Sequence, residues 1–325
     1  MASDERRTQD PSVALEMTGV RCSDNVSASF GHNPAPGPVT DQFLDGIRVV
    51  TLAQNVPGPL AAARMREAGA RVTKIEPPAG DPFLALSREW HAELHEGIPI
   101  ERLDLKSPDG LARLTVLLAD ADLLLTSQRP SAIARLGLDP ASLRARFPGI
   151  RTVRIFGSVR DPEQAGHDLT YQAQRGLVGQ TVPRTITADV LTSERAFSAA
   201  LAVLRRPPGS VMDLGLVESL DPLVASLRHG LTMPNGTLGG GGYRYGVYAT
   251  KTGHIAVAAL EPHFEARLCE QLGIAPDEDP SPRYLARTAD EWEVWARERD
   301  LPIVAIKGRS SDQGVRDLDP LDQDL

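Results

Sequence analysis

Short apolar, β-branched runs alternate with helical segments along residues 47–157, and this alternation restricts the fold more than any other feature of the sequence. The run IRVVTL at 47–52 precedes the turn residues NVPGP and an Ala-rich helical stretch that Gly69 ends. A second run, RVTKIE, follows at 71–76, where a pair of prolines closes it. A strand, a helix and a second strand in this order form a right-handed crossover with parallel strands. The pattern predicts a parallel sheet of the kind found in nucleotide-binding α/β folds.

The same alternation continues through the first half of the chain. Ser107 is placed to cap a helix through LARLTVLLADA, and DLLLTS at 122–127 is typical of a buried strand. Two short helices are predicted at SAIARLG and DPASLRARF, before a last strand, IRTVRIFG, at 150–157. The glycine pattern GxGxxG is missing from the first strand–helix turn, so the sequence does not favour a nicotinamide-dependent enzyme.

The pattern changes in the second half of the chain. TSERAFSAALAVLRR, at 192–206, predicts a long helix. A glycine-rich turn near 236–242 then leads into YRYGVYAT and HIAVAAL, two strands joined by a KTG turn. We therefore predict a large α/β domain over residues 41–206 and a smaller α+β domain over residues 207–310.

Both ends of the chain are polar. Residues 1–40 mix Ser, Asp, Asn, Gly and Pro with few large apolar side chains, which predicts a disordered tail, and residues 311–325 are expected to be frayed. The first residues lack the apolar stretch of a secretory signal. Cys22 and Cys269 lie far apart in the sequence. We therefore expect a cytoplasmic protein with neither a disulfide framework nor a cysteine-based metal site.

The charge balance limits the partners that the chain can bind. It has 35 Lys and Arg against 43 Asp and Glu, a formal net charge of −8, whereas binding to nucleic acid or to an anionic membrane surface needs a basic face. No run approaches the roughly 20 apolar residues of a membrane helix. The motifs HExxH, paired CxxC, GxSxG and the Walker glycine–lysine loop are also absent from the sequence. We expect no nucleic-acid, membrane or metal partner.

Two residues are candidates for acid–base chemistry. His167, in AGHDLTY, follows a predicted strand exit, where α/β folds place their ligands. A histidine beside an aspartate also forms local hydrogen bonds, and Asp168 is placed to orient the loop or to cap the next helix. Asp189 stands between apolar neighbours just before a helix, where it either caps that helix or has its pKa tuned for nucleophilic or acid–base work. The spacing alone does not choose between these alternatives.

Two further features have both a functional and a simpler interpretation. Glu261 ends the run HIAVAAL at the point where the chain turns, so it is either a site residue or a solvated strand end. The glycine run Gly239–Gly242 lets a backbone approach a ligand or close over it, and it is equally suited to a flexible loop. From these residues alone, the sequence indicates an α/β protein with a candidate acid–base site.

Four segments, taken together and in order, resemble the family that contains class III CoA-transferases and α-methylacyl-CoA racemases. They are residues 44–82, residues 103–157, AGHDLTYQAQRGLVG at 165–179, and GGGGYRYGVYATKTGHIAVAALEPHF at 239–264. The resemblance implies a large domain with a Rossmann-like parallel sheet, a smaller α+β domain and a homodimer of two interlocked subunits. It also implies acyl-CoA substrates, with no cofactor apart from the coenzyme A that the substrate carries.

The resemblance assigns roles to basic residues of the large domain. Lys74, Lys106, Arg129 and Arg135 match positions where the family supplies basic groups near the phosphates of CoA. Charge-assisted hydrogen bonds from such groups to phosphate are physically reasonable. The sequence therefore predicts that these four residues bind CoA.

The resemblance also assigns a catalytic role to Asp189, in two different ways. In the transferases the matching aspartate attacks the thioester and passes through an aspartyl anhydride and an aspartyl-CoA thioester. In the racemases it exchanges the α-proton from one face, while a histidine that matches His167 serves the other face. The AxEP segment of Glu261 is also racemase-like, and there the glutamate belongs to the surround of the active site. We therefore favour racemase-type chemistry, with CoA transfer as the alternative.

A non-catalytic binding subunit is the third alternative, because the sequence departs from the family pattern. HAELHEGIPIER stands where a basic NRNKR-like stretch is usual, and RPPGSVMDLGL is a reduced form of a Gly-rich turn and strand. The segment between Gly179 and Asp189 is short, and the sequence ends soon after DLPIVAI. The sequence therefore leaves open whether the two subunits interlock.

Overall fold

The computed structural model of the protein describes residues 42–306. Both predicted tails, residues 1–40 and 311–325, lie outside these residues, as does Cys22. The first elements alternate strands and helices: β1 (Arg48–Thr51), α1 (Pro57–Glu67), β2 (Arg71–Glu76), α2 (Phe83–Leu86), α3 (Arg88–Leu94), β3 (Ile100–Arg102), α4 (Pro108–Ala119), β4 (Leu123–Thr126), α5 (Pro130–Arg135), α6 (Pro140–Arg146) and β5 (Arg151–Phe156).

The later elements are mainly helical, with a second group of strands near the end. They are α7 (Asp168–Gln174), α8 (Thr187–Leu204), β6 (Val211–Gly215), α9 (Leu216–Ser219), α10 (Ala225–Arg228), β7 (Tyr245–Ala249), β8 (His254–Ala258), α11 (Pro262–Leu272), α12 (Ser281–Tyr284), α13 (Ala289–Arg297) and β9 (Ile303–Ala305). None of the helices in the described part of the chain is long and apolar enough to cross a membrane.

Six parallel strands form the larger sheet, in the order β3-β2-β1-β4-β5-β6. Strand β1 pairs with β2 on one side and β4 on the other, and Val49 is opposite both Val72 and Leu123. From β1 the chain builds the sheet outwards in one direction through β2 and β3, and then returns to add β4, β5 and β6 on the other side. The predicted α/β fold class, with a Rossmann-like parallel sheet, is confirmed.

Helices cover both faces of this sheet, because successive side chains of a strand point to opposite sides. In β1, Val49 packs into a cluster with α1 and α8, whereas Val50 packs into a cluster with α4, α5 and α6. In β4, Leu123 and Leu125 belong to the first cluster and Leu124 to the second. A sheet buried on both faces explains why its central strands are continuous apolar runs rather than alternating ones.

Local signals in the sequence explain where the helices begin and end. Pro57 starts α1, where the missing N–H costs no hydrogen bond. The helix ends just before Gly69, which has a φ of +100°, and a Cβ there would lie 2.7 Å from that of Gln42. The Ser107 side chain accepts a hydrogen bond from the Gly110 N–H, which confirms the predicted cap of α4.

Strand β6 extends the large sheet beyond residue 206, the predicted end of the large domain. Its pairing with β5 runs from Thr152 opposite Val211 to Phe156 opposite Gly215. The reduced segment RPPGSVMDLGL therefore still contains a strand that continues the parallel ladder. The domain boundary itself stays a prediction.

The smaller sheet is antiparallel, in the order β7-β8-β9. The two predicted strands around the KTG turn pair as a hairpin, with Val247 opposite Ala256. Residues Ile255 and Val257 point to a separate apolar cluster that contains Trp292 and other residues of α13. A mixed α+β unit follows the large sheet in the chain, as the sequence predicted.

Candidate active site

A cavity of about 120 Å³ lies at the carboxyl ends of β1, β4 and β5. Gln54 and Ser127, which follow β1 and β4, contribute to its lining, as does Gly157, which follows β5. His167 and Asp189 also line this cavity, so the structure brings the two predicted acid–base residues together. The strand order reverses between β1 and β4, and α/β sheets bind ligands at such a point.

His167 is positioned by the start of α7. It is the N-cap residue of that helix, in an extended conformation with a φ of −138°. The Thr170 hydroxyl accepts a hydrogen bond from the His167 N–H at 3.1 Å and donates one to the His167 carbonyl oxygen at 2.8 Å. These local bonds hold the backbone, while the residue as a whole is exposed. The imidazole is thus accessible at the edge of the cavity.

Asp189 lies in the first turn of α8, and it does not cap that helix. Ile186 is the N-cap residue and provides no side-chain cap. Burial, together with the negative charge of Asp168, raises the pKa of Asp189 from 3.8 to about 7. Within residues 42–306 its carboxylate forms no ion pair and no hydrogen bond. Asp189 is therefore not the N-cap residue of α8, and its acid–base role stays a prediction.

Tyr171 is a third side chain with an ionisable group that lines the cavity, and it was not among the site residues predicted from the sequence. Its side chain is buried and packs against two glycines, since a Cβ at Gly157 would lie 2.4 Å from its hydroxyl and a Cβ at Gly166 2.5 Å from its ring. Burial raises the pKa of Tyr171, as does the charge of Asp189, whereas Arg129 lowers it. The signal was present in the sequence, because Tyr171 completes the pattern GHDxxY that also contains His167.

The loop after β5 is held in place by α9. The Glu218 carboxylate accepts hydrogen bonds from the Ser158 hydroxyl at 2.7 Å and from the Val159 N–H at 3.1 Å. The Val217 N–H donates to the carbonyl oxygen of Gly157 at 3.0 Å. Burial raises the pKa of Glu218, but the hydrogen bonds that its carboxylate accepts, together with the charge of Arg175, outweigh burial and lower the pKa below its ordinary value. The wall of the cavity beside Tyr171 is therefore fixed.

A larger groove of about 610 Å³ adjoins the cavity, and Gln54 lines both. Lys106 and Arg135 line this groove together with apolar side chains such as Leu103 and Leu136. Two of the four predicted CoA-binding residues are thus in one place. Arg129 is exposed at the N-cap of α5 and is outside the groove lining, but it lies close enough to Tyr171 to affect its pKa.

Lys74 has a different environment from the other predicted CoA-binding residues. It is fully buried, and its Nζ lies 2.5 Å from Asp81 Oδ2, 2.8 Å from His95 Nε2 and 3.6 Å from Glu76 Oε1. A contact between Lys74 and a phosphate would require the ammonium to leave Asp81. The sequence could not show this, because Asp81 comes from the loop after β2 and His95 is the C-cap residue of α3.

This buried cluster also contains a second histidine. His91 Nε2 lies 3.1 Å from Glu76 Oε1, and burial, aided by the nearby Lys74, lowers the pKa of His95 to about 4. Ligand atoms of Glu76, His91 and His95 all lie within 4.8 Å of one another, close enough to hold a metal ion. The Lys74 ammonium and Arg102, whose Nε lies 3.7 Å from Glu76 Oε2, already supply positive charge to this cluster, which is a closed network of ion pairs.

Glu261 is separate from these groups in the described structure. It is exposed at the N-cap of α11 and is not among the residues that line the cavity of His167 and Asp189. In the glycine run Gly239–Gly242, two of the glycines line a different pocket, of about 190 Å³, beside Arg244. The functional roles of these residues stay predictions.

Comparison with known proteins places the chain in a family. Residues 44–305 match the family model described as CoA-transferase family III. The chain belongs to CoA-transferase family III. This match confirms the family resemblance seen in the sequence. Relatives in this family are named as enzymes, which supports that this chain is an enzyme.

The curated relatives of this family III chain include both racemases and transferases. It is 30% identical to human alpha-methylacyl-CoA racemase over 77% of its own length and 69% of the relative. It is 28% identical to succinate–glutarate CoA-transferase of Agrobacterium fabrum, over 77% of this chain and 72% of that protein. A CaiB/BaiF CoA-transferase family protein of Caenorhabditis elegans is 28% identical, with coverage of 77% and 82%.

Solved structures share the fold of the family III chain. A crystal structure of a hypothetical protein from Mycobacterium tuberculosis matches with a TM-score of 0.70 and 23% sequence identity, over 85% of each chain. A CaiB/BaiF family protein from Brucella suis matches with a TM-score of 0.65 and 21% identity, over 82% of this chain and 84% of that one. At these identities the likeness concerns the fold alone.

Proposed function

We propose that this family III enzyme acts on acyl-CoA thioesters and moves a proton at the α-carbon, as an α-methylacyl-CoA racemase does. The observation that carries the proposal is that His167 and Asp189 line one cavity, in which the Asp189 carboxyl has a pKa of about 7 and no ion-pair partner among the described residues. Two acid–base groups on one cavity are what inversion at a carbon atom requires.

The reaction needs only the movement of a proton and an electron pair. One of the two groups takes the α-proton, and the C–H electron pair forms the enolate of the thioester. The other group returns a proton to the opposite face, which inverts the α-carbon. A carboxyl with a pKa near the working pH is present in both protonation states, so Asp189 can act in either direction.

The adjoining groove is suited to the CoA portion of the substrate. Its volume of about 610 Å³ lies within the range of small-molecule sites, roughly 300–1,000 Å³, whereas the cavity of about 120 Å³ accommodates only the reacting carbons. Lys106 and Arg135 can pair with phosphate groups there. Gln54 lines both spaces, which supports passage of the thioester from groove to cavity. We propose no cofactor beyond the CoA of the substrate.

CoA transfer through Asp189 is the second candidate function. The relative that is named a succinate–glutarate CoA-transferase supports it, and so does the Asp189 carboxylate on the cavity, which has no ion-pair partner within residues 42–306. In this reaction the carboxylate attacks the thioester carbonyl, the C–S bond breaks, CoA leaves as the thiolate, and an aspartyl anhydride forms. His167 has no required role in these steps, which distinguishes the two functions.

The first experiment follows 2-methylacyl-CoA in D2O by mass spectrometry and chiral analysis, beside a His167→Ala variant. We expect deuterium at the α-carbon together with both epimers, and a loss of epimerisation of about 10²- to 10⁴-fold in the variant. Absence of exchange with every branched acyl-CoA would overturn the proposal. Acyl-CoA-dependent inactivation by hydroxylamine would then favour transfer.

The third alternative, a non-catalytic binding subunit, has its own test. A protein that has lost turnover and CoA binding would show no heat of binding when titrated with CoA in a calorimeter. We expect binding that weakens on Arg135→Ala, because Arg135 lines the groove. The homodimer that the family resemblance implies stays a prediction, which sedimentation of the full chain can check.

A further inference from the structure

The start of α8 has an unusual cap. Ile186, its N-cap residue, offers no side-chain acceptor, although the first N–H groups of a helix need partners outside the helix. The N–H of Asp189 instead donates to Oδ1 of Asp168, at 3.0 Å. Asp168 thus acts as the cap of a helix that begins 19 positions after it, at Thr187.

A glutamine holds the Asp168 carboxylate from its other side. Gln172 Nε2 donates to Asp168 Oδ2 at 2.6 Å and to the carbonyl oxygen of Thr185 at 3.2 Å. Asp168 and Gln172 are both buried. Gln172 lies one turn along α7, whereas Thr185 leads into α8. The two helix starts are therefore joined through three hydrogen bonds that centre on these two side chains.

This connection has a direct consequence for the cavity. Asp168 follows His167 immediately in the chain and bonds to the backbone of Asp189, so it joins the two residues proposed to exchange protons. A shift of one helix start relative to the other would change the distance between the imidazole and the carboxyl. Such distances must be held closely for proton transfer, because hydrogen-bond reach is only about 2.6–3.2 Å.

The charges around Asp189 give Asp168 a second effect. His167 and Tyr171 line the cavity with Asp189, and Arg129 acts on Tyr171. On α1, Arg64 pairs with Glu194, which is farther along α8, and on α9 Glu218 binds the loop after β5. Asp168 is the nearby charge that acts on Asp189, and it favours the protonated carboxyl.

We propose that Asp168 is a positioning residue that ties the start of α7 to the start of α8, holds Asp189 opposite His167 and next to the negative charge of Asp168 itself, and is fixed by Gln172. The structural part of this proposal rests on the hydrogen bonds above, and its catalytic consequence rests on the proposed function. Asp168 acts through Asp189 and needs no contact with the substrate.

The test is a carbon-13 NMR titration of aspartate carboxyls in the full-length protein, with the Asp189 signal assigned by its loss in Asp189→Asn. Asp168→Asn keeps an acceptor for the Asp189 N–H but removes the charge. We expect the pKa of Asp189 to fall by about one unit in this variant. The midpoint of the pH profile of epimerisation should move to lower pH by the same amount.

Asp161→Asn is the matched control, because Asp161 is an exposed residue of the loop that precedes α7 and does not line the cavity. It should leave both the Asp189 titration and the pH profile unchanged. An Asp189 titration in Asp168→Asn that coincides with that of wild type would overturn the proposal. If the shift occurs in a protein that epimerises no substrate, the proposed function fails and the positioning role stands.

A second variant tests the proposal if Asp168→Asn does not fold. Gln172→Leu leaves the Asp168 charge in place but removes both hydrogen bonds of the Gln172 amide. We expect the Asp189 amide to exchange its hydrogen at least about tenfold faster in this variant, because its acceptor is no longer held. Unchanged protection of that amide would contradict the role of Gln172.

Discussion

Two clusters of ionisable side chains lie at the carboxyl ends of the parallel strands, and they differ in how their charge is balanced. Around Lys74, a buried ammonium faces the carboxylates of Asp81 and Glu76 within 3.6 Å. The Asp189 carboxyl on the cavity has no cationic partner among the described residues. A second carboxylate, that of Asp168, accepts a hydrogen bond from the Asp189 N–H. The first cluster is closed by its own ion pairs, and the second is open to a ligand.

The difference separates a structural role from a chemical one. Buried charges with a partner hold neighbouring segments together, here β2, the loop that follows it and the end of α3 at its C-cap residue His95. Burial without a cationic partner destabilises the charged form of a carboxyl and raises its pKa. A pKa raised towards neutral pH is what acid–base chemistry requires of a carboxyl group. Charge balance therefore distinguishes the two clusters better than burial does.

Removal of the cation from the closed cluster should have the largest effect on stability. In Lys74→Met, Asp81 keeps its buried charge with no ion-pair partner among the described residues, and Glu76 keeps Arg102, whose Nε lies 3.7 Å from Glu76 Oε2. We expect a loss of about 3–5 kcal/mol in the free energy of unfolding, measured by urea denaturation at pH 7. Arg113→Met, which breaks an exposed pair with Glu101, is the control and should cost far less. A similar loss in both variants would contradict the structural role of the Lys74 cluster.

The open cluster should make stability fall as pH rises. The pKa of Asp189 is raised from 3.8 to about 7 on folding, so between these values the folded protein binds more protons than the unfolded one. Relative to Asp189→Asn, the wild-type protein should lose up to about 4 kcal/mol between pH 4 and pH 8, at 1.36 kcal/mol for each pKa unit. Urea denaturation of both proteins across this range measures it. A difference that does not vary with pH would show that Asp189 is ionised throughout.

The closed cluster should show the opposite dependence on pH. The pKa of His95 is lowered from 6.5 to about 4, so in this window the unfolded protein binds more protons and stability rises with pH. Relative to His95→Gln, the wild-type protein should gain about 3 kcal/mol in free energy of unfolding between pH 4 and pH 7. The same denaturation series measures this gain. If the free energy of unfolding changes with pH in the same way in the wild type and the variant, this would be evidence against a buried neutral imidazole at His95.

A smaller effect is expected where Tyr171 forms the wall of the cavity. A Cβ at Gly157 would lie 2.4 Å from the Tyr171 hydroxyl, whereas a Cβ at Gly149 would have no neighbour within 4 Å. Gly157→Ala should therefore lower the free energy of unfolding by about 1–3 kcal/mol and slow epimerisation. Gly149→Ala should do neither. Equal melting temperatures for the two variants would show that the wall adapts to the added methyl group.

Much of the fold could be predicted from the sequence, because its signals are local. The run RVTKIE predicted a strand at the residues that form β2, and Ser107 indicated the start of α4. The hairpin of β7 and β8 followed from two alternating runs about a turn. Strand β3 and helix α3 were not predicted, since β3 has only three residues and no clear apolar period.

The contacts that define the two clusters could not be predicted in this way. Family resemblance pointed to His167 and Asp189, but only the folded chain shows that they line one cavity. It also pointed to Lys74 as a phosphate ligand, whereas in the structure this ammonium bonds to Asp81. Such pairings join residues through the tertiary fold, and no periodicity in the sequence reports them.

The most direct test of the central claim compares proton removal from the two epimers of 2-methylacyl-CoA in D2O, in His167→Ala and in Asp189→Asn. Each variant should still exchange the α-proton of one epimer for deuterium, slowly and with retention of configuration. The epimer that undergoes exchange in His167→Ala should be the opposite of the one that undergoes exchange in Asp189→Asn. Loss of exchange from the same epimer in both variants, or full activity of either variant, would contradict the account of one cavity with an acid–base group on each face of the substrate.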